Sequence, residues 1–199
     1  MGKPVEVNLD EHSSVVAPCL LGSILHGPNG SGRIVEVEAY GGADDPASHG
    51  HKGVTKRTQT VFGPTGFLYV YLSYGIHSCA NVVTGPVDEG HAVLIRAVEP
   101  LEITADMVAA RSKAKRDVDI SNGPGKLCQA LGIELSHDGI DLSDRASAVR
   151  LEFREPLDAA DIETTKRIGI SKAVDKPWRF AIANNRWVSK PRPEHPARQ

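Results

Sequence analysis

The chain has no run of apolar residues approaching the ~20 that would cross a bilayer, and its polar, acidic opening MGKPVEVNLDEH has no apolar stretch to act as a secretory leader. No membrane partner is expected, and the expected location is the cytoplasm, or the nucleus if the source is eukaryotic. The N-terminal lipidation pattern also fails, because Glu6 stands where Ser or Thr is needed. Cysteine is scarce. Cys19, Cys79 and Cys128 are far apart and odd in number, which fits buried thiols in a reducing compartment better than a disulfide frame. The sequence has no Gly-x-Gly-x-x-Gly turn, no phosphate loop and no Gly-x-Ser-x-Gly nucleophile elbow. His49, His51, His77 and His91 find no Cys or carboxylate at a metal-ligand spacing, so neither a metal nor a cofactor is expected.

Neither sign of charge dominates: 23 basic residues stand against 25 acidic ones, for a net charge of -2. Bulk electrostatics therefore do not announce a nucleic-acid binder. The distribution is less even. Lys52, Lys56 and Arg57 form one basic group, Arg111, Lys113, Lys115 and Arg116 a second, and Lys176, Arg179, Arg186, Lys190 and Arg192 a third. Acidic residues concentrate between Glu134 and Glu163. Such segregation permits a basic face for phosphates beside an acidic back. Aromatics are only 5% of the chain, yet all four tyrosines lie between Tyr40 and Tyr74, a clustering that core packing does not require.

What is present centres on residues 32–49, GRIVEVEAYGGADDPASH. Alternation predicts a strand with Val35, Val37 and Ala39 on an apolar face and Ile34, Glu36, Glu38 and Tyr40 on the other. Glu38 and Tyr40 then share a face, with His49 across a loop. The plainer alternative is an edge strand with solvated glutamates. A short helix is predicted over residues 15–24, capped by Ser13 or Ser14. A long polar loop is predicted over 42–60, a length more often functional than decorative. A strand over 67–74 places Tyr74 at a turn tip before Gly75. A hairpin follows, pairing 79–83 with 91–98, and leaves Arg96 inside a strand where a charge needs a partner. A helix is predicted from Glu99 to about Lys115, with Thr104 as an alternative cap. A second helix runs over 125–131 after Ser121-Asn122-Gly123-Pro124, where Lys126 and the helix start can hold a phosphate. Short strands are predicted over 148–153, 166–170 and 178–188. Mixed elements without a βαβ cadence indicate one α+β domain over residues 1–190, on a largely antiparallel curved sheet with flanking helices, and a disordered tail over 191–199.

Several of these segments together resemble the alkyladenine (3-methyladenine) DNA glycosylases of the mammalian type. They are RIVEVEAY (33–40), His49, G-x-L-Y-x-Y-x-x-Y-G (66–75), Asn81, VLIRA-x-EPL (93–101), GP-x-KLCQAL (123–131), Arg179-Phe180 and Trp187-Val188-Ser189. The likeness runs in one order from about Leu20 to Ser189 and departs from the mammalian pattern at Ile76 (Met there) and Ala92 (Cys there). The resemblance implies a fold like the C-terminal domain of formyltransferases. It also implies a monomeric, monofunctional enzyme acting on double-stranded DNA that contains damaged purines. It casts Glu38 as the carboxylate that activates water, with Arg96 and the Val188 carbonyl helping to hold that water. Tyr40, His49 and Tyr71 become the walls around an extruded base, Tyr74 the residue inserted into the duplex, and Asn81 the group that disfavours guanine. Lys56, Arg57 and Lys126 remain candidate backbone contacts. Two alternatives stay open: a non-catalytic nucleic-acid module of the same fold, and a hydrolase of free nucleosides.

Overall fold

β-Branched residues at 34, 35 and 37 favour extended backbone, and in the computed structural model, which describes residues 5–189, they lie in the longest strand, β2 (Gly30–Tyr40). This is a central strand, not an edge. One side pairs with β5 (His91–Pro100), while the other pairs first with β1 (Ile24–Gly27) and then with β8 (Arg179–Ile182). β3 (Leu68–Ser73) and β4 (His77–Thr84) extend the sheet beyond β5, β6 (Arg150–Glu152) adds to β1, and β7 (Ile162–Thr165) adds to β8. Among the described residues all eight strands pair antiparallel in one curved sheet. The proposed tail over 191–199, with Lys190 and Arg192, lies outside the described residues.

Helices cover one face of the sheet. α1 (Ser13–Cys19) packs on β2 and β5, and α3 (Pro124–Leu131) packs on β4 and β5. Val16, Ala17, Leu127 and Leu131 thereby enclose Ile34, Val37, Ala39, Val93, Ile95 and Val98 in the main core. α3 begins one residue earlier than its sequence predicts, with Pro124 in the first turn, and ends as predicted at Gly132, in the left-handed conformation that glycine tolerates. α2 (Ala105–Ala110) is capped by the Thr104 hydroxyl.

The strict alternation predicted for β2 fails at one point. The register runs Ile34↔Val98, Glu36↔Ala97, Val37↔Ile95, with an irregularity on each side of Glu36. Ile34 therefore joins Val37 and Ala39 in the main core, whereas Val35 packs in a separate cluster with Ala97 and Trp187. A bulge of this kind re-aims side chains, and here it places Glu36 and Arg96 together on the face away from the helices.

Other boundaries differ as well, among them the strand predicted over 178–188, which ends at Ile182. α1 stops at Cys19 rather than near 24 and is capped by His12 rather than by a serine; its last residues before Ile24 give way to β1, where β-branched Ile24 pairs across the sheet. Glu99 and Pro100 do not open a helix, because Arg33 pairs with the Glu99 carboxylate and β5 continues to Pro100. Residues 166–170 are not a strand: the ladder to β8 lies just upstream, at Ile162–Thr165. Finally, the predicted 42–60 loop is not structureless, since one 3-10 turn spans His49–Lys52 and another begins at Gln59.

Candidate active site

Cross-strand pairing lines up one row of residues over five strands. Tyr69 lies opposite Asn81, Asn81 opposite Leu94, Leu94 opposite Glu38, and Glu38 opposite Arg179. Directly opposed residues share a sheet face, so Tyr69, Asn81 and Glu38 look out on the side that the helices leave uncovered. Tyr40 is two residues beyond Glu38 and Tyr71 two beyond Tyr69, so both belong to this face.

Two carboxylates are buried there without solvent exposure, Glu36 and Glu38. Glu36 is saturated. Its oxygens accept from Arg96 Nε at 2.8 Å, Arg179 Nε at 2.7 Å, the Ser189 amide at 2.6 Å and Ser189 Oγ at 2.8 Å. Burial alone would raise this carboxyl, but the guanidinium groups of Arg96 and Arg179 outweigh it and hold Glu36 below the ordinary range. Glu38 is held more sparingly. Ile168 donates its amide to Oε1 at 2.7 Å, while Oε2 accepts the Tyr40 hydroxyl at 2.9 Å and lies 3.1 Å from Arg96. A carboxylate offers about four lone-pair positions, and these contacts leave Glu38 room for one more partner.

Arg96 therefore bridges both carboxylates, which answers the question of a charge within a strand. Ser189 contributes a further effect. Its amide belongs to the same rigid peptide unit as the Val188 carbonyl, and the two point in opposite directions. By fixing that amide, Glu36 also fixes where the Val188 carbonyl points.

The aromatic part stands beside the carboxylates. His49 Nδ1 is 3.1 Å from the Tyr69 hydroxyl, and its ring meets Tyr71 edge to face at 4.4 Å. Burial and the Arg57 charge lower the His49 pKa from its ordinary value, so this ring is neutral at neutral pH. Burial raises the Tyr40 phenol well above its ordinary range, an effect that Glu38 and the Tyr71 phenol reinforce. Tyr74 occupies the tip between β3 and β4 and is 91% exposed. It adopts φ +52°, a left-handed conformation costly for a bulky residue and a feature of functional segments.

The structure separates the candidate phosphate contacts. Lys56 and Arg57 are exposed, and Arg57 lies over the Tyr71 ring at 5.2 Å. Lys126, at the start of α3, donates to Asn122 at 2.7 Å and lies 3.8 Å from Asp119. Arg179, grouped by sequence with surface cations beside the site, is instead buried against Glu36. Its environment corrects that expectation: a guanidinium consumed by an internal carboxylate is not offered to a phosphate.

Sequence reasoning missed Arg167, Asp45 and the Ile168 amide. Arg167 forms a two-pronged ion pair with Asp45, at 2.6 and 2.8 Å, with both side chains almost completely buried. The one available signal was an arginine set beside Ile168 and Ile170. Among the described residues no cluster of His, Cys, Asp or Glu suits a metal ion.

A family model described as methylpurine-DNA glycosylase matches residues 8–186. A protein of Burkholderia lata is 47% identical over 183 residues, covering 92% of this chain and 88% of the relative. One of Agrobacterium fabrum is 48% identical over 175 residues, covering 88% and 86%. One of Methanoculleus marisnigri is 45% identical over 179 residues, covering 88% and 92%. Each of the three carries the provisional name 3-methyladenine DNA glycosylase.

Proposed function

The chain belongs to the methylpurine-DNA glycosylase family, and from that premise we propose that it removes damaged purines from duplex DNA by hydrolysing their N-glycosidic bond. The observation that carries this reading is Glu38, a buried carboxylate that accepts from three donors where it has about four lone-pair positions, on the same sheet face as Tyr40, Tyr71 and His49. In the proposed step Glu38 accepts a proton from a water whose oxygen bonds to the sugar C1′. The bond from C1′ to the base nitrogen breaks, and its electron pair leaves with the base. Arg96 keeps Glu38 in place, and the Val188 carbonyl provides a second acceptor for the water.

A base within a duplex is out of reach, so the nucleotide must turn out of the stack, at a cost of a few kcal/mol that is smallest for damaged pairs. Tyr74, exposed at a turn tip, is assigned to fill the vacated space. The rings of Tyr40, His49 and Tyr71 are assigned to hold the extruded base, with electron-poor alkylpurines of the 3-methyladenine and 7-methylguanine type favoured by cation–π attraction. Hypoxanthine fits the same slot without that benefit. Asn81 is assigned to disfavour guanine by crowding its 2-amino group, a penalty that 7-methylguanine also meets and that its positive charge offsets. The charged nitrogen group beside Glu38 is a guanidinium rather than an amine, which supports base removal without strand cleavage. The reading requires no cofactor, and residues 1–190 acting as a monomeric unit suffice for it.

Single-turnover incubation with duplexes bearing 3-methyladenine, 7-methylguanine or hypoxanthine, with free nucleosides in parallel, tests the proposal. Release of damaged bases from the duplex, with the strand left intact, is expected. Turnover of nucleosides alone would replace it with nucleoside hydrolysis, and binding without turnover with a non-catalytic module. DNA affinity should fall steeply with salt through release of counterions near the exposed Lys52, Lys56, Arg57 and Arg186; salt-independent affinity would remove the nucleic-acid reading.

A further inference from the structure

Tyr40 already has a cation on one face. The Arg167 guanidinium lies 4.7 Å from the centre of the Tyr40 ring and 5.2 Å from that of Trp178. Its NH1 also donates to the carbonyl of Ala39, the residue between Glu38 and Tyr40, at 3.0 Å. A base that stacks on Tyr40 must therefore use the opposite face. At ordinary stacking distance the base would lie roughly 8 Å from the guanidinium, with no water between. A bare positive charge there would repel a positively charged alkylpurine and cancel much of the attraction that the ring provides.

That charge is not bare. Asp45 grips Arg167 with both oxygens and receives the amides of Gly41 and Ala47 as well. Burial pushes the Asp45 carboxyl up, but the bonds from Arg167 outweigh burial and lower it, so it is ionised at neutral pH. Two other cations stand nearby: Arg96, which Glu36 and Glu38 balance, and Lys176, which lies over Trp178 at 4.0 Å.

We propose that Asp45 is a specificity-determining residue: by cancelling the Arg167 charge behind Tyr40, it lets the slot accept positively charged alkylpurines as well as neutral bases. This rests on the base-stacking role proposed for Tyr40. The pair also ties the loop after β2 to Arg167, next to the Ile168 amide that Glu38 accepts, so its loss disturbs packing. A packing disturbance alone, however, slows cationic and neutral lesions alike.

The test compares excision of 7-methylguanine, which is cationic, with excision of neutral hypoxanthine at subsaturating enzyme. Asp45→Asn leaves an unbalanced cation and should lower the 7-methylguanine to hypoxanthine ratio by about tenfold. Arg167→Gln leaves an unbalanced anion and should raise that ratio. The double variant Asp45→Asn/Arg167→Gln has neither charge and should return the ratio to that of the wild type. Buried unpaired charges can prevent folding; if one single variant is insoluble, the sign of the other decides. Ratios unchanged, or shifted in the same direction by both single variants, would overturn the proposal. Failure of the wild type to excise either base would instead overturn the functional reading on which it stands.

Discussion

Glu36 and Glu38 are two residues apart on one strand, equally buried, and share the same arginine. They differ in what is left over. Glu36 accepts from two guanidinium groups and twice from Ser189, so its capacity is spent on holding β2, β5, β8 and the Val188 peptide together. Glu38 accepts from a phenol, an amide and one guanidinium, three of about four lone-pair positions, and stands beside the aromatic face. Residue type and burial alone do not separate a catalytic carboxylate from a structural one. The proposed assignment of catalysis to Glu38 rests on its residual hydrogen-bonding capacity.

The largest expected effect breaks this comparison on the catalytic side. Glu38→Gln should reduce excision by about 10²–10⁴-fold, the range for losing a general base, while leaving the fold and the affinity for a duplex with an abasic-site analogue in place. Single-turnover kinetics and a binding titration measure both. Turnover within a few-fold of wild type would transfer the catalytic role to another group.

Glu36→Gln should show the opposite profile. Removing one partner from a buried ion network leaves Arg96 and Arg179 undercompensated, at a cost of about 3–5 kcal/mol of stability. The pH dependence sharpens the point. The folded-state pKa of Glu36 is lowered from an ordinary 4.5, so its contribution is complete above that value and is lost as pH falls through the lowered one. Wild-type melting temperature should therefore fall more steeply on acidification than that of Glu36→Gln. Parallel curves would show that Glu36 carries no such linkage.

Much of this was legible because it is local. The extended β2, the tyrosine cluster, the Tyr74 tip, the hairpin holding Arg96 and the boundaries of α3 all follow from residues within a few positions of one another. The contacts that separate the two carboxylates are not local. Ser189 reaches Glu36 across 153 positions, and Arg167 reaches Asp45 across 122. No periodicity encodes such a meeting. The bulge at Glu36 was hidden for a related reason: Val35 and Val37 look alike in sequence, and only the paired strand shows that they face different clusters.

Asn81 gives the smallest and most selective effect. It lies in the same cross-strand row as Glu38, which places it on the site face rather than in the core. Its Nδ2 donates to the carbonyls of Tyr69 at 3.0 Å and Cys79 at 3.3 Å, as an ordinary strand asparagine would. These bonds serve the hairpin, but they also lock the side chain in one position, and a locked side chain is what exclusion by crowding requires. Serine is shorter, and its hydroxyl can keep one of the two bonds, so Asn81→Ser should cost little stability. Hypoxanthine and guanine differ by the 2-amino group. If Asn81 occupies the space that this group needs, Asn81→Ser should raise excision of guanine or 7-methylguanine relative to hypoxanthine by about tenfold, the scale of a single small group in a pocket. Matched duplexes in single turnover, with melting temperature as a control, measure it. A folded, active variant with an unchanged ratio would assign Asn81 to the hairpin alone and place the rejection of guanine elsewhere on the slot.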